Sequence, residues 1–153
     1  MPKIDIDRVP VKTGSLYPPP YNAMADGRIK QALGDAGGLT QFGVNLTRLP
    51  PGAASAQRHW HEAEDELVFV VSGELALIEE GGETTLRAGE AATFKAGHAD
   101  GHYLLNRSAE DAVVLEIGTR AGEERCQYPD IDLVYEKRGG KVRFTNRAGE
   151  PYD

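Results

Sequence analysis

The stretch PGAASAQRHWHEAEDELVFVVSG, residues 51–73, contains the pattern on which both the fold and the chemistry of this chain depend. His59 and His61 lie two residues apart in a predicted strand, so their imidazoles point to the same face. Glu66 opens the next apolar strand and shares a face with Val68 and Val70. A carboxylate inside a barrel is costly unless it is paired. A metal ion bound by the carboxylate and the two imidazoles would pair it, so the pattern indicates a metal site.

A simpler interpretation of the same residues stays open. The two histidines could form a solvated strand end beside the acidic run EAEDE, whose other carboxylates (Glu62, Glu64 and Asp65) are typical of a solvated loop. All four histidines of the chain fall between positions 59 and 102, however, and His98 and His102 follow in the segment AGHADGH. Two further histidines near a histidine pair favour the metal interpretation.

Short predicted strands surround this stretch. LTQFGVNLTRL, residues 39–49, alternates apolar and polar residues and ends at two prolines, as expected of a strand. Turn residues separate the other predicted strands, which are Glu66–Val71, Glu74–Glu79, Thr84–Arg87, Ala91–Phe94, His102–Asn106 and Ala112–Gly118. Such closely spaced strands without long helical segments predict an all-β sandwich or barrel.

The two ends of the chain differ from this pattern. Residues 1–37 form a proline-rich N-terminal arm with three consecutive prolines, in which residues 24–33 could make a short helix closed by Gly34. We therefore divide the chain into this arm, a barrel over residues 38–120 and a C-terminal tail over residues 121–153, with a hairpin at Gly139-Gly140. The tail is expected to pack on the barrel or on a partner subunit. An arm exchanged between two barrels would cover a sheet edge, which predicts a homodimer.

Composition excludes several classes of function. The chain has 153 residues, enough for one domain, and 18 glycines and 9 prolines that mark many turns. A net charge of −7 argues against a nucleic-acid partner. No apolar run is long enough for a membrane span, and the N-terminus has no hydrophobic signal segment. The single cysteine, Cys126, fits a small, partly buried side chain in a reducing compartment. We therefore expect a cytoplasmic protein without a membrane partner.

The residues above resemble the two motifs of the cupin superfamily. The first motif matches at Gly52, His59, His61, Glu66 and Gly73, and the second at Gly89, Gly97, His102 and Asn106. The second motif departs from the family pattern in two ways: Lys95 stands where a proline is usual, and the loop from Gly97 to His102 is two residues longer. More closely, the chain is similar to small bacterial single-domain cupins that are often labelled mannose-6-phosphate isomerase-like.

This resemblance implies a jelly-roll barrel, or double-stranded β-helix, and a site that binds one divalent transition metal. The implied ligands are His59, His61, Glu66 and His102. The longer loop makes His98 an alternative to His102, although the spacing to Asn106 favours His102. Three nitrogens and one oxygen suit Fe(II), Mn(II), Ni(II), Co(II) or Zn(II).

The implied function is a metal-dependent enzyme that acts on a small oxygenated molecule, such as a sugar, a sugar phosphate or an organic acid. Isomerase, lyase and dioxygenase chemistry all fit, and the alternative is a non-enzymatic binding or sensor protein. No catalytic base stands out from the sequence, and the candidates are Asp100, Tyr103 and Glu116. The pocket is expected to be apolar at its base and polar at its mouth, near His98, Asp100 and Asn106.

Overall fold

The computed structural model describes residues 2–152, and strands account for most of its regular structure. The strands of the first half are β1 (Val11–Thr13), β2 (Ile29–Ala32), β3 (Phe42–Leu49), β4 (Trp60–His61), β5 (Glu66–Ser72), β6 (Glu74–Glu79) and β7 (Gly82–Arg87). Those of the second half are β8 (Ala91–Phe94), β9 (Tyr103–Leu105), β10 (Ala112–Thr119), β11 (Glu124–Gln127), β12 (Val134–Arg138) and β13 (Lys141–Thr145). The helices are two 3₁₀ segments (Ile6–Arg8 and Tyr21–Ala25) and one α-helical turn, α1 (Leu33–Ala36). No helix within residues 2–152 has the length and apolar character needed to cross a bilayer.

The strands form three antiparallel sheets. The largest has the order β1-β2-β3-β10-β5-β8, and a three-stranded sheet has the order β7-β6-β9. Inward-facing apolar side chains of both sheets make one core, which includes Leu49, Val70 and Val114 from the large sheet and Leu75 and Leu104 from the small one. The chain passes between these two sheets several times from β5 to β10, and the sheets enclose one core, which confirms the predicted all-β jelly roll.

The strand predictions within the barrel agree closely with the structure. Glu74–Glu79 and Ala91–Phe94 are strands with the predicted bounds, and the others differ by one to three residues at an end. The predicted helix over residues 24–33 is wrong, because residues 29–32 form β2 and pair with β3 in the register Ile29↔Arg48. A sheet edge that needs a hydrogen-bonded neighbour outweighs the weak helical propensity of this segment.

The N-terminal segment therefore lies on its own barrel in the structure. β1 pairs with β2, and Tyr17 and Tyr21 pack into a second apolar cluster around the buried Leu133. Leu16, in contrast, is exposed. The exchange of this arm between two barrels, and the homodimer that it would create, stay predictions.

The C-terminal segment adds the third sheet, of order β13-β12-β11-β4. β11 pairs with β4 in the register Cys126↔His61 and Gln127↔Trp60. The predicted hairpin at Gly139-Gly140 is confirmed by the pairing of β12 with β13. This segment consequently lies beside the strand that carries His61.

Gly73 makes the tight connection between β5 and β6. Its φ is +75°, and a Cβ at this position would lie 2.8 Å from the backbone oxygen of Asp111 and 3.0 Å from the Cα of Ala112. Both contacts are with backbone, which a side-chain rotation cannot relieve.

We predict that Gly73→Ala lowers the free energy of unfolding by about 2 kcal/mol or more, measured by urea denaturation. Gly81→Ala, where the added Cβ meets open space, is the matched control and should change stability little. Equal stability of the two variants would contradict this explanation.

Candidate metal centre

Backbone pairing brings the candidate ligands together at one end of the barrel. His59 and His102 face each other in an antiparallel bridge, with N–H···O distances of 3.2 Å and 2.9 Å in the two directions. His61 follows on β4, and its backbone oxygen accepts a hydrogen bond from Gly97 at 2.8 Å. Glu66 opens β5, opposite Phe94 of β8 and Gly118 of β10. Four side chains from three separate segments therefore meet at one point.

The three imidazoles converge on the carboxylate of Glu66. The Nε2 atom of His102 lies 2.8 Å from Oε2, and the Nε2 atom of His61 lies 3.1 Å from Oε1. The Nε2 atom of His59 is 3.8 Å from Oε2. His102 is buried and the other three residues are half-buried. The structure thus brings all four predicted ligands together, with the same ring nitrogen of each histidine facing the carboxylate.

Neighbouring groups hold the three rings in place. The Nδ1 atom of His59 lies 2.8 Å from the carbonyl oxygen of Gln57. Because a carbonyl can only accept, this Nδ1 donates its proton and Nε2 keeps a lone pair. The Nδ1 atom of His61 is 3.2 Å from the Sγ atom of Cys126. The ring of His102 stacks on Phe94 with a centroid distance of 3.5 Å. The rings are thus oriented by contacts on the side away from Glu66.

The charges of the site compensate one another. Burial opposes a charge on Glu66, but the nearby imidazoles of His102, His59 and His61 hold the pKa of its carboxyl well below the usual range. Burial also opposes a charge on His61, but its contacts with Cys126 and Glu66 raise its pKa to about 11. Burial lowers the pKa of His102. The surroundings of Glu66 therefore favour its ionised form.

The alternative ligand His98 does not reach this cluster. His98 is exposed, and it does not belong to any group of potential metal ligands among residues 2–152. Asp100 is also used elsewhere, because its Oδ1 atom accepts the backbone N–H of Glu80 at 3.0 Å. His102 is therefore the histidine of the second motif that lies beside Glu66.

Asn106 does not lie at the polar mouth of the pocket, where it was expected. This residue is fully buried, and its side chain bonds to the backbone of Leu49 and Glu110 rather than facing a cavity. His98 and Asp100 do line a cavity of about 230 Å³ that also borders His61, Glu66 and His102. The prediction therefore holds for two of the three polar residues, and Asn106 has a structural position.

Cys126 was expected to be a small, partly buried side chain, and it is almost fully buried. Its contact with His61 was not predicted, because a register between a tail strand and β4 cannot be read from local sequence. The ligand atoms of His59, Glu66 and His102 form one group within 4.8 Å of one another, and those of His59, His61 and Cys126 form a second. A third such group contains His61, Glu64 and Glu124, but Glu124 already accepts hydrogen bonds from the backbone N–H groups of residues 62, 63 and 125.

Two cavities beside the cluster contain residues that the sequence analysis missed. One, of about 240 Å³, borders His59, Glu66 and His102 and is also lined by Lys30 and Glu116. The other, of about 250 Å³, adds Arg28 and several aromatic residues, among them Tyr17 and Tyr128. Arg28 and Lys30 come from the N-terminal arm, far from either motif in sequence. Only the pairing of β2 with β3 places them near the histidines.

The donor set fits a divalent transition metal. Three imidazole nitrogens and one carboxylate oxygen are ligands of intermediate softness, which Fe(II), Mn(II), Ni(II), Co(II) and Zn(II) accept. The hydrogen bond between His59 and Gln57 is the kind of outer contact that fixes a metal-binding tautomer. A cation at this point would also offset the buried carboxylate of Glu66.

Comparisons with known proteins agree with this architecture. The family model of the cupin domain matches residues 45–118. A solved sugar phosphate isomerase from a cupin superfamily, from Silicibacter pomeroyi, is 43% identical, with a TM-score of 0.95 over 99% of this chain and 97% of that chain. A proposed sugar phosphate isomerase from Acidithiobacillus ferrooxidans is 31% identical, with a TM-score of 0.76 over 83% of this chain and 80% of that chain. No curated protein matches the sequence.

A more distant structure shares the fold alone. A polyketide cyclase from Streptomyces resistomycificus is 19% identical, with a TM-score of 0.63 over 78% of this chain and 79% of that chain. The same barrel thus carries different chemistries, and function must be argued from the site.

Proposed function

This chain belongs to the cupin superfamily, and from that premise we propose that it is a metal-dependent isomerase of small sugar phosphates. The observation that carries the proposal is the convergence of three imidazole nitrogens on the carboxylate of Glu66 beside two cavities. The similarity to two proteins named for sugar phosphate isomerisation supports this class of reaction over lyase or dioxygenase chemistry.

The proposed metal ligands are His59, His61, Glu66 and His102. A divalent cation held by these residues supplies a Lewis acid that polarises the oxygen atoms of a chelating ligand. The cavities, each of about 240–250 Å³, are at the small end of the range for ligand sites, which favours a small molecule over a polymer.

Glu116 is the proposed proton-transfer group. It lies on β10 opposite Val68, two residues from the position that pairs with Glu66, so both carboxylates occupy the inner face of the barrel. The Oγ1 atom of the buried Thr47 donates a hydrogen bond to Oε1 of Glu116, and Nζ of Lys30 lies 3.8 Å from the same oxygen. Among residues 2–152 no hydrogen bond or ion pair engages Oε2 of Glu116. This oxygen is therefore available for a ligand proton.

The isomerisation needs only proton movements. Glu116 accepts the C2 proton of an aldose phosphate while the C2–H electron pair forms a C1–C2 double bond and the former carbonyl oxygen takes a proton. Glu116 then returns its proton to C1, the O2 hydroxyl loses its proton, and a C2 carbonyl forms. One hydrogen has moved from C2 to C1 and one hydroxyl proton from O2 to O1, so neither an oxidant nor a reductant is required.

Deuterium exchange tests this reaction. Metal-loaded protein incubated with fructose 6-phosphate in D₂O should incorporate deuterium at C1, followed by proton NMR. We predict that Glu116→Gln slows this exchange by roughly 10²–10⁴-fold because it removes the proton acceptor. Glu83→Gln, at an exposed carboxylate bonded to Arg107, is the matched control and should exchange at the wild-type rate.

Three results would change the proposal. Wild-type protein that holds its metal but catalyses no exchange with fructose 6-phosphate or mannose 6-phosphate is not an isomerase of these sugars. Binding of such a ligand without exchange would instead favour the non-enzymatic binding or sensor function. Exchange in Glu116→Gln at the wild-type rate would remove Glu116 from the mechanism and leave the isomerase proposal intact.

A further inference from the structure

Arg28 is a half-buried arginine that makes no ion pair with the carboxylates of residues 2–152. Its Nε atom donates to the backbone oxygen of Gly14 at 2.9 Å, and its Nη1 atom donates to that of Ser55 at 2.6 Å. Among residues 2–152 no hydrogen bond involves Nη2, and no ion pair involves Arg28. The two hydrogen bonds to carbonyl oxygens fix the orientation of the guanidinium group, but they do not neutralise its charge. Such a guanidinium is suited to a bidentate anionic group.

Lys30 lies on the same face of the chain as Arg28, because the two residues are two positions apart at the start of β2. Both line the cavity of about 250 Å³ that also borders His59, His61 and Glu66. The inward position of Lys30 follows from its register with the buried Thr47 on β3. The cavity therefore has the candidate metal ligands and two cationic side chains on its wall.

The remaining charges of this cavity cancel in pairs. Glu64 is bonded to Lys137 at 2.9 Å, and Glu116 lies 3.8 Å from Lys30. The carboxylate of Glu66 faces the histidines of the candidate metal centre, with His61 at 3.1 Å and His102 at 2.8 Å. Arg28 is a charged residue of this cavity that makes no ion pair among residues 2–152. A ligand that binds in the cavity should therefore carry a negative charge.

We propose that Arg28, assisted by Lys30, binds the phosphoryl group of the ligand, while the hydroxyl and carbonyl oxygens of the same molecule face Glu66 and the histidines. The inference rests on the proposed function for its ligand class and deepens it, since it assigns a phosphate subsite to the N-terminal arm. Neither cupin motif contains these two residues. The arm is thus part of the binding site and not only a covering for a sheet edge.

Isothermal titration with fructose 6-phosphate, fructose, inorganic phosphate and lactate tests the assignment in both metal-free and metal-loaded protein. Wild-type protein should bind fructose 6-phosphate at least roughly tenfold more tightly than fructose, since a charge-assisted bond to phosphate contributes that much. Arg28→Gln should abolish this preference, and Lys30→Met should reduce it. Arg48→Gln, at an exposed arginine paired with Asp111, is the matched control and should keep it.

The outcomes separate this inference from the isomerase proposal. An unchanged preference in both Arg28→Gln and Lys30→Met, or equal affinity of the wild type for fructose and fructose 6-phosphate, would overturn the subsite. Tighter binding of lactate than of phosphate and fructose 6-phosphate would overturn it in favour of a carboxylate ligand. Phosphate-dependent binding without deuterium exchange would support the subsite and contradict the isomerase. Lys30→Met keeps the test decisive if loss of the Arg28 bonds to Gly14 and Ser55 unfolds that variant.

Discussion

Purified His61→Ala and His102→Ala proteins should each bind a divalent metal at least roughly tenfold to a hundredfold more weakly than the wild type, as measured by equilibrium dialysis and elemental analysis. Each substitution removes one of four converging donors, and the Nε2 atoms of both residues lie within 3.1 Å of Glu66. The β-sheet circular dichroism should persist, because neither histidine belongs to the main apolar core.

His98→Ala is the matched control for this experiment. It removes an imidazole from the same loop as His102, but His98 is exposed and lies outside the groups of potential ligands among the described residues. We expect wild-type metal content in this variant. Metal loss in His98→Ala together with full occupancy in His102→Ala would show that the loop rearranges around the metal. Full occupancy in His61→Ala would remove that residue from the ligand set.

The first motif allowed much of the site to be predicted, because its residues act over short distances in sequence. Side chains at i and i+2 of a strand share a face, so His59 and His61 could be placed together without any tertiary information. Glu66 could be placed inside because its strand is apolar and alternates. The extended loop before His102 was harder, since the sequence offered two histidines. The spacing to Asn106 favoured His102, and the bridge between His59 and His102 puts that residue beside Glu66.

The residues that the sequence analysis missed depend on long-range strand pairing. Arg28 and Lys30 lie in a segment whose local propensity suggested a helix, and Cys126 lies in a tail without an evident partner. Their places near the histidines follow from the β2–β3 and β11–β4 registers, and the second of these pairs Cys126 with His61, 65 residues away. Local periodicity indicates that a strand forms, but it does not indicate which strand will be its neighbour.

Asn106 is expected to be the residue of the second motif whose substitution destabilises the fold most. Its side chain is fully buried, and Nδ2 donates to the carbonyl oxygens of Leu49 and Glu110, each at 2.7 Å. Oδ1 accepts from the N–H of Ser108 at 2.9 Å and from its hydroxyl at 2.7 Å. One amide therefore connects the end of β3 to the loop that precedes β10. This arrangement explains an asparagine at the position in structural terms.

Asn106→Asp should lower the free energy of unfolding by about 3 kcal/mol, because a carboxylate of the same shape presents oxygen to two carbonyl oxygens and leaves both without a donor. Urea denaturation in the presence of a chelator measures this loss without the stabilisation that bound metal would add. Asn22→Asp, at a half-buried asparagine without a side-chain hydrogen bond among residues 2–152, is the control and should lower the free energy of unfolding little.

At low temperature, where Asn106→Asp stays folded, its metal affinity should match the wild type, since the residue does not contact the ligand cluster. A destabilisation below about 1 kcal/mol would mean that the loop relaxes and that these four hydrogen bonds contribute little. A large loss of metal affinity in the folded variant would instead place Asn106 in the support of the metal centre.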